Sequence, residues 1–248
     1  MREVIQKIKP TSGVSHFLHL ALVLVLPLGV FILVWQNFEA LAFALVVLSK
    51  WRMFAVRPRF WAANIRANSI DLMVGISITV FMTQTNSVVS QLGWVIAYAI
   101  WLAAIKPGKT IPMVTFQAFI GQLAALSALY LWSGAPVWVL TLFTGLFCFL
   151  AARHFLDIFD EPYARMLAYI WGYFGAALAW VLSHWLLYYQ GVAQTTLLLS
   201  TLGYGTAVIY YLDHNDRLSK GVRRQFIFIM LAIVVVVLAF SDWGDKVV

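Results

Sequence analysis

Charge is what this sequence has least of. Asp, Glu, Lys and Arg make up 11% of its 248 residues, against roughly a quarter in an ordinary soluble domain, and 62% are hydrophobic. A water-soluble fold has too little interior to hide that much apolar surface. Cysteine is nearly absent as well: Cys148 stands alone, so no internal disulfide forms and cysteine usage does not report the compartment. Seven prolines and fifteen glycines are too few for a fibrous or disordered chain. Acid is outnumbered by base, ten residues to seventeen, for a formal charge of +7. That surplus does not indicate nucleic acid, which needs a basic face on a soluble surface; here each basic cluster sits in a short gap between apolar blocks.

What is present is a series of apolar blocks of bilayer length, at 17–35, 38–54, 70–86, 88–105, 111–132, 136–152, 166–189, 192–212 and 225–241. They predict an all-α, polytopic transmembrane bundle of about nine helices forming a single domain over 1–248, in an inner or plasma membrane. The second and third blocks are the weakest, because Lys50 and Arg52 must snorkel from the end of one and the other is rich in Ser and Thr. The basic start and the apolar stretch after it resemble a signal peptide, but no small-x-small cleavage site follows, so the stretch is expected to be a retained first helix.

The gaps alternate in character. "QNF" at 36–38, "TNS" at 85–87, "SGA" at 133–135 and "QGVAQ" at 190–194 carry no Lys or Arg. The gaps between them hold Lys50, Arg52, Arg57, Arg59 and Arg66, then Lys106 and Lys109, then Arg153 and Arg165, then Arg217, Lys220, Arg223 and Arg224. With Arg2, Lys7 and Lys9, every basic residue except Lys246 falls on one side, which the positive-inside rule makes cytosolic. Trp35, Trp94, Trp132, Trp138, Trp185 and Trp243 fall near the opposite ends, where an aromatic belt belongs.

Within these nine blocks no Asp, Glu, Lys or Arg is expected near a midplane; Glu39 is placed at an outer end and Asp71 at an inner one. That argues against proton-coupled transport, and the lack of a central lysine argues against a retinal protein. The histidines, His16, His19, His154, His184 and His214, are read as interfacial, so no haem is expected, although His16 or His19 with His154 is an inner-side pair.

Three cytosolic segments carry the candidate chemistry. In "SKWRMFAVRPRFWAANIRANSID", Lys50, Arg52, Arg57, Arg59 and Arg66 interleave with Trp51, Phe54, Phe60 and Trp61, a pattern that holds an amphipathic segment against anionic phosphate. The same charges also serve as a plain topology signal. In "ARHFLDIFDEPYARMLAYIWG", Asp157, Asp160 and Glu161 are expected on one helical face, where carboxylates share a divalent cation such as Mg2+ that bridges to diphosphate. The alternative is a solvated loop, with Asp157 beside Arg153, Asp160 and Glu161 capping the next helix, and Pro162 in its first turn. Asp213, His214 and Asp216 lie in the third segment, an ordinary charged loop.

Taken together the layout resembles the intramembrane prenyltransferases of the UbiA type. "IKPGKT" at 105–110 resembles the family's lysine-threonine turn, "SGAP" at 133–136 its tight turn after the fifth helix, and "VRRQFIFIM" at 222–230 the entry to its last helix. "LDIFDEP" at 156–162 is similar to its second aspartate motif, with Arg165 where another aspartate is expected; the first motif has no counterpart in "ALVVLSKWRMFAVRPR". The resemblance implies a membrane lipid as partner, polyprenyl diphosphate above all, with Mg2+ on Asp157, Asp160 and Glu161 and phosphate on Lys50, Arg52, Arg57, Arg59 and Arg66. The rival expectation is a non-catalytic membrane subunit or passive transporter. Both rest on the same topology, which reporter fusions after Lys9 and after Val248 test: a cytosolic signal from the first and an external one from the second are expected. Equal cytosolic signals would mean an even number of crossings.

Overall fold

The computed structural model describes residues 14–132, 134–184, 188–189 and 191–241, with side chains from residue 23 onward except at 188 and 189. Among the described residues the chain forms nine α-helices: α1 (Val14–Trp35), α2 (Glu39–Leu48), α3 (Trp61–Thr83), α4 (Val88–Ile100), α5 (Ile111–Tyr130), α6 (Val137–Leu156), α7 (Ala164–Ser183), α8 (Gln194–His214) and α9 (Lys220–Phe240). A two-residue hairpin, β1 (Tyr188–Tyr189) with β2 (Val192–Ala193), stands between α7 and α8. This is the all-α bundle that the hydropathy blocks predict.

Among the described residues six segments are long and apolar enough to cross a bilayer: Pro58–Thr83, Val88–Ile105, Ile111–Tyr130, Val137–Phe159, Ala164–Ser183 and Lys220–Phe240. The chain is therefore an integral, multi-pass membrane protein. The expected spans change in four places. The eighth, α8, is 21 residues long but is not among these six. The second is only ten residues of helix, about 15 Å, or half of a hydrocarbon core of roughly 30 Å; 3-10 turns at Trp51–Met53 and Pro58–Phe60 follow it. The seventh stops at Ser183 rather than 189. The third begins well before residue 70: with its 3-10 turn it runs over 26 residues, about 39 Å.

The correction to the third span has a physical cause. Asn68 donates to the Asn64 carbonyl at 2.9 Å, Ser69 to Arg66 at 2.8 Å and Ser77 to Met73 at 2.6 Å, so these polar side chains are satisfied by their own helix and do not break it. Asp71, the fourteenth of the 26 residues, is only 6% exposed.

The chain divides into two compact units, Met1–Trp51 with Thr79–Gly108, and Arg52–Ile78 with Lys109–Val248. In the first, α1 and α2 form a hairpin through Asn37, which takes a left-handed conformation at φ 62, and a Cβ at Gly29 would lie 3.1 Å from Leu45. Gln91 of α4 donates to the carbonyls of Met82 and Thr85 at 3.2 and 2.9 Å, which closes the end of α3. The last turn of the span containing α4 widens to a π-helix at Trp101–Ile105, where Lys106 donates to the Trp101 carbonyl.

The second unit is built on α6 and α7. The buried residues of α7 are all small: Ala164, Ala168, Gly172, Gly175, Ala179 and Ser183. This stripe lets the two backbones nearly touch, as small residues do between membrane helices. A Cβ on Gly172 would stand 3.0 Å from the Gly145 carbonyl oxygen and 3.0 Å from Phe149 Cβ, and one on Gly175 would stand 2.7 Å from Cys148 Sγ. The opposite face of α7, with Tyr169, Tyr173 and Trp180, is exposed. α5 packs on α6 and α8, and α8 packs on α9.

Gly172→Leu forces its side chain against backbone, and a core overpacked in this way loses about 1–3 kcal/mol. Thermal unfolding of the purified protein in detergent should show a lower midpoint for this variant. Gly93→Ala, at a position with no atom within 4 Å of the added carbon, should not lower it. An unchanged midpoint for Gly172→Leu would remove the close α6–α7 contact from the account.

Candidate functional site

The polar segment after α6 does not continue as a helix. Leu156 ends α6, Asp157–Phe159 form one 3-10 turn, and Asp160 takes a left-handed conformation at φ 50, ψ 33 that turns the chain toward α7. Asp tolerates that backbone better than most residues. Asp157, Asp160 and Glu161 therefore do not share one helical face, which corrects the geometry read from their spacing.

Each carboxylate has its own surroundings. Asp157 accepts from Arg153, one turn earlier, at 2.6 Å. Asp160 is exposed. Glu161 accepts the backbone N–H of Tyr163 at 3.3 Å and the hydroxyl of Tyr210, on α8, at 2.5 Å. Among the described residues no group of three His, Cys, Asp or Glu side chains is placed to hold a metal ion. His154 is also engaged, at 3.0 Å from the Gln117 amide oxygen, while the side chains of His16 and His19 lie outside the described residues, as do Trp185, Trp243 and Lys246. Asp213 of the third segment pairs with Arg223 at 3.3 Å, and Ser219 caps α9 through the Val222 N–H.

The five basic residues of the first segment divide. Lys50 is buried at 9% exposure, directly after α2, and does not snorkel as expected. Arg52, Arg57, Arg59 and Arg66 are exposed. Arg52 through Arg66 belong to the second unit, where Asn64 donates to the Met53 carbonyl at 3.5 Å and holds the segment against the start of α3.

The structure reveals a feature that sequence reasoning missed, an open cavity of about 250 Å3 within the second unit, between α5, α6, α7 and α8. Ala118 and Phe119 line it from α5, Ala151 and Phe155 from α6, Trp171 from α7 and Ala207 from α8. It sits beside the ends of these helices that adjoin the basic gaps, since its lining begins at Thr115 near the start of α5 and includes Leu156 at the end of α6. Most of its polar side chains are turned to the protein. Thr115 donates to the Ile111 carbonyl at 2.9 Å, Thr206 to Leu202 at 2.7 Å, and Gln122 to Leu199 at 3.1 Å while accepting from the Trp171 indole at 3.1 Å. With Tyr210 bound to Glu161, the Tyr204 hydroxyl is the remaining polar side-chain group of a mainly apolar lining. Gly203 contributes the room: a Cβ there would lie 3.1 Å from the Trp171 ring.

Below the cavity, Phe155, Phe159, Tyr210 and His214 form an aromatic cluster, with Phe159 5.1 Å from Tyr210 and 5.0 Å from His214. The Glu161–Tyr210 bond ties the 157–163 turn to this cluster. The spacing of small residues on α7, at every third or fourth position, was the sequence signal for close packing here; nothing in the sequence marks the empty space. Comparison with protein families, curated proteins and solved structures finds no match to this chain.

Proposed function

We propose that this protein handles a lipid whose hydrocarbon chain, prenyl or acyl, enters the cavity between α5, α6, α7 and α8, with a phosphate-bearing head on the basic side of the membrane. The observation that carries this reading is a mainly apolar cavity, most of whose polar lining groups already have partners inside the protein. A ligand that must make hydrogen bonds would compete with those partners at a cost of about 1–3 kcal/mol for each group left unpaired; a hydrocarbon chain does not. At about 250 Å3 the cavity lies near the low end of ligand pockets, which run from roughly 300 to 1,000 Å3, so it suits part of one chain rather than a whole polyprenyl lipid.

Two measurements test it. Mass spectrometry of the lipid that co-purifies with the full-length protein is expected to show a retained isoprenoid or a selected acyl lipid. Ala207→Phe, which fills the cavity from α8, is expected to reduce that lipid severalfold relative to bulk phospholipid. Ordinary phospholipid alone, equal in both proteins, would favour the non-catalytic subunit or passive transporter.

The narrower form of the reading is prenyl transfer, with Mg2+ held by Asp157, Asp160 and Glu161 and the diphosphate neutralised by Arg57, Arg59 and Arg66. It requires the three carboxylates to converge on one ion, which they do not do while Asp160 turns the chain in a left-handed conformation and Asp157 and Glu161 are held by Arg153 and Tyr210. Calorimetric titration with a prenyl diphosphate, with and without Mg2+, tests this form. Binding that needs Mg2+ and disappears in the Asp157→Asn, Asp160→Asn double variant is its expected result. Metal-independent binding would leave lipid handling without transfer.

A further inference from the structure

We propose that residues 52–66 form a docking surface for anionic phospholipid headgroups in the leaflet where α3 begins. The inference shares Arg57, Arg59 and Arg66 with the prenyl-transfer form of the reading above but does not rest on it, since no residue of this segment lines the cavity.

Charge comes first. Arg52, Arg57, Arg59 and Arg66 are all exposed, and no acidic residue occurs between Glu39 and Asp71 to neutralise them. A topology signal needs only the count of positive charges. This segment has in addition a folded scaffold. The Trp61 indole donates to the Val56 carbonyl at 3.0 Å, the Phe54 and Trp61 rings meet edge to face at 5.6 Å, and Asn64 reaches back to Met53. These contacts fold 53–56 against the first turns of α3 and set Arg57 and Arg59 at the tip of the fold.

Depth comes next. The Pro58–Thr83 span is about 39 Å long against a hydrocarbon core of roughly 30 Å, so it overshoots the core, and its polar start, with Arg59, Asn64 and Arg66, is the end suited to the headgroup layer. Phe54, Phe60 and Trp61 are 43%, 46% and 39% exposed in that layer, where aromatic rings sit between tails and water. Because the Trp61 N–H is already bonded, its ring offers an apolar surface. The Arg59 guanidinium lies 4.6 Å from the Phe60 ring centroid, which restrains the side chain while leaving its N–H groups for phosphate. Exposed aromatics among unneutralised arginines match an anionic phospholipid better than water or free phosphate, neither of which covers the rings, and their position at the start of a membrane span favours lipid over an acidic protein.

The test uses full-length protein in a neutral detergent, with the thermal midpoint followed as dioleoylphosphatidylglycerol is added, and dioleoylphosphatidylcholine or inorganic phosphate as separate arms. Phosphatidylglycerol should raise the midpoint at a lower concentration than phosphatidylcholine, with an effect that weakens in high salt. Replacing Arg57, Arg59 and Arg66 with glutamine should raise the concentration needed more than tenfold, at about 1 kcal/mol per basic residue. If that triple variant does not purify, Arg59→Gln alone should raise it about fivefold. Equal responses to the two lipids, an unchanged requirement in the variants, or an equal response to inorganic phosphate would each overturn the proposal.

Discussion

The close approach of α6 and α7 is the constraint on which the second unit depends. Between membrane helices there is little hydrophobic gain in contact, because lipid tails are as apolar as leucine, so association rests on how near the backbones come. Gly145, Gly172 and Gly175 bring them to distances that leave no space for a side-chain carbon. With the two helices locked, Ala151, Ala152, Phe155 and Leu156 near the end of α6 line the cavity beside α5 and α8. The cavity is what remains where small residues, Ala118, Ala151, Gly203 and Ala207, face one another instead of interlocking.

Hydrogen bonding then decides what that space accepts. In an apolar surrounding an unsatisfied polar group costs several kcal/mol, which favours bonds from polar side chains to backbone or to one another. Gln122 does both kinds of work, joining α5 to the α8 backbone and to Trp171 of α7. The same economy operates in α3, where Asn68, Ser69 and Ser77 bond within the helix and allow a polar sequence to cross the membrane. Polar residues thus give this protein its rigidity and leave its cavity mainly apolar.

The turn after α6 shows how local chemistry and tertiary contact divide the candidate site. The Arg153–Asp157 pair is one helical turn long and follows from spacing alone. Glu161 finds Tyr210, 49 residues later, only because α8 returns beside α6. The spacing of the three carboxylates implies a shared face, and the left-handed Asp160 removes it. Lys50 makes the same point: it was expected at the interface and is buried in the protein.

By itself the sequence determined the class of protein, the helical content and most of the helix positions. These follow from hydropathy over bilayer-length windows, and a bilayer leaves the backbone no choice except to satisfy itself locally. The short α2, the early start of α3, the separation of the carboxylates and the cavity were decided only by the tertiary structure. They depend on which surfaces meet across long stretches of chain: a glycine reports that a neighbour can come close, and only the packed helices show whether one does.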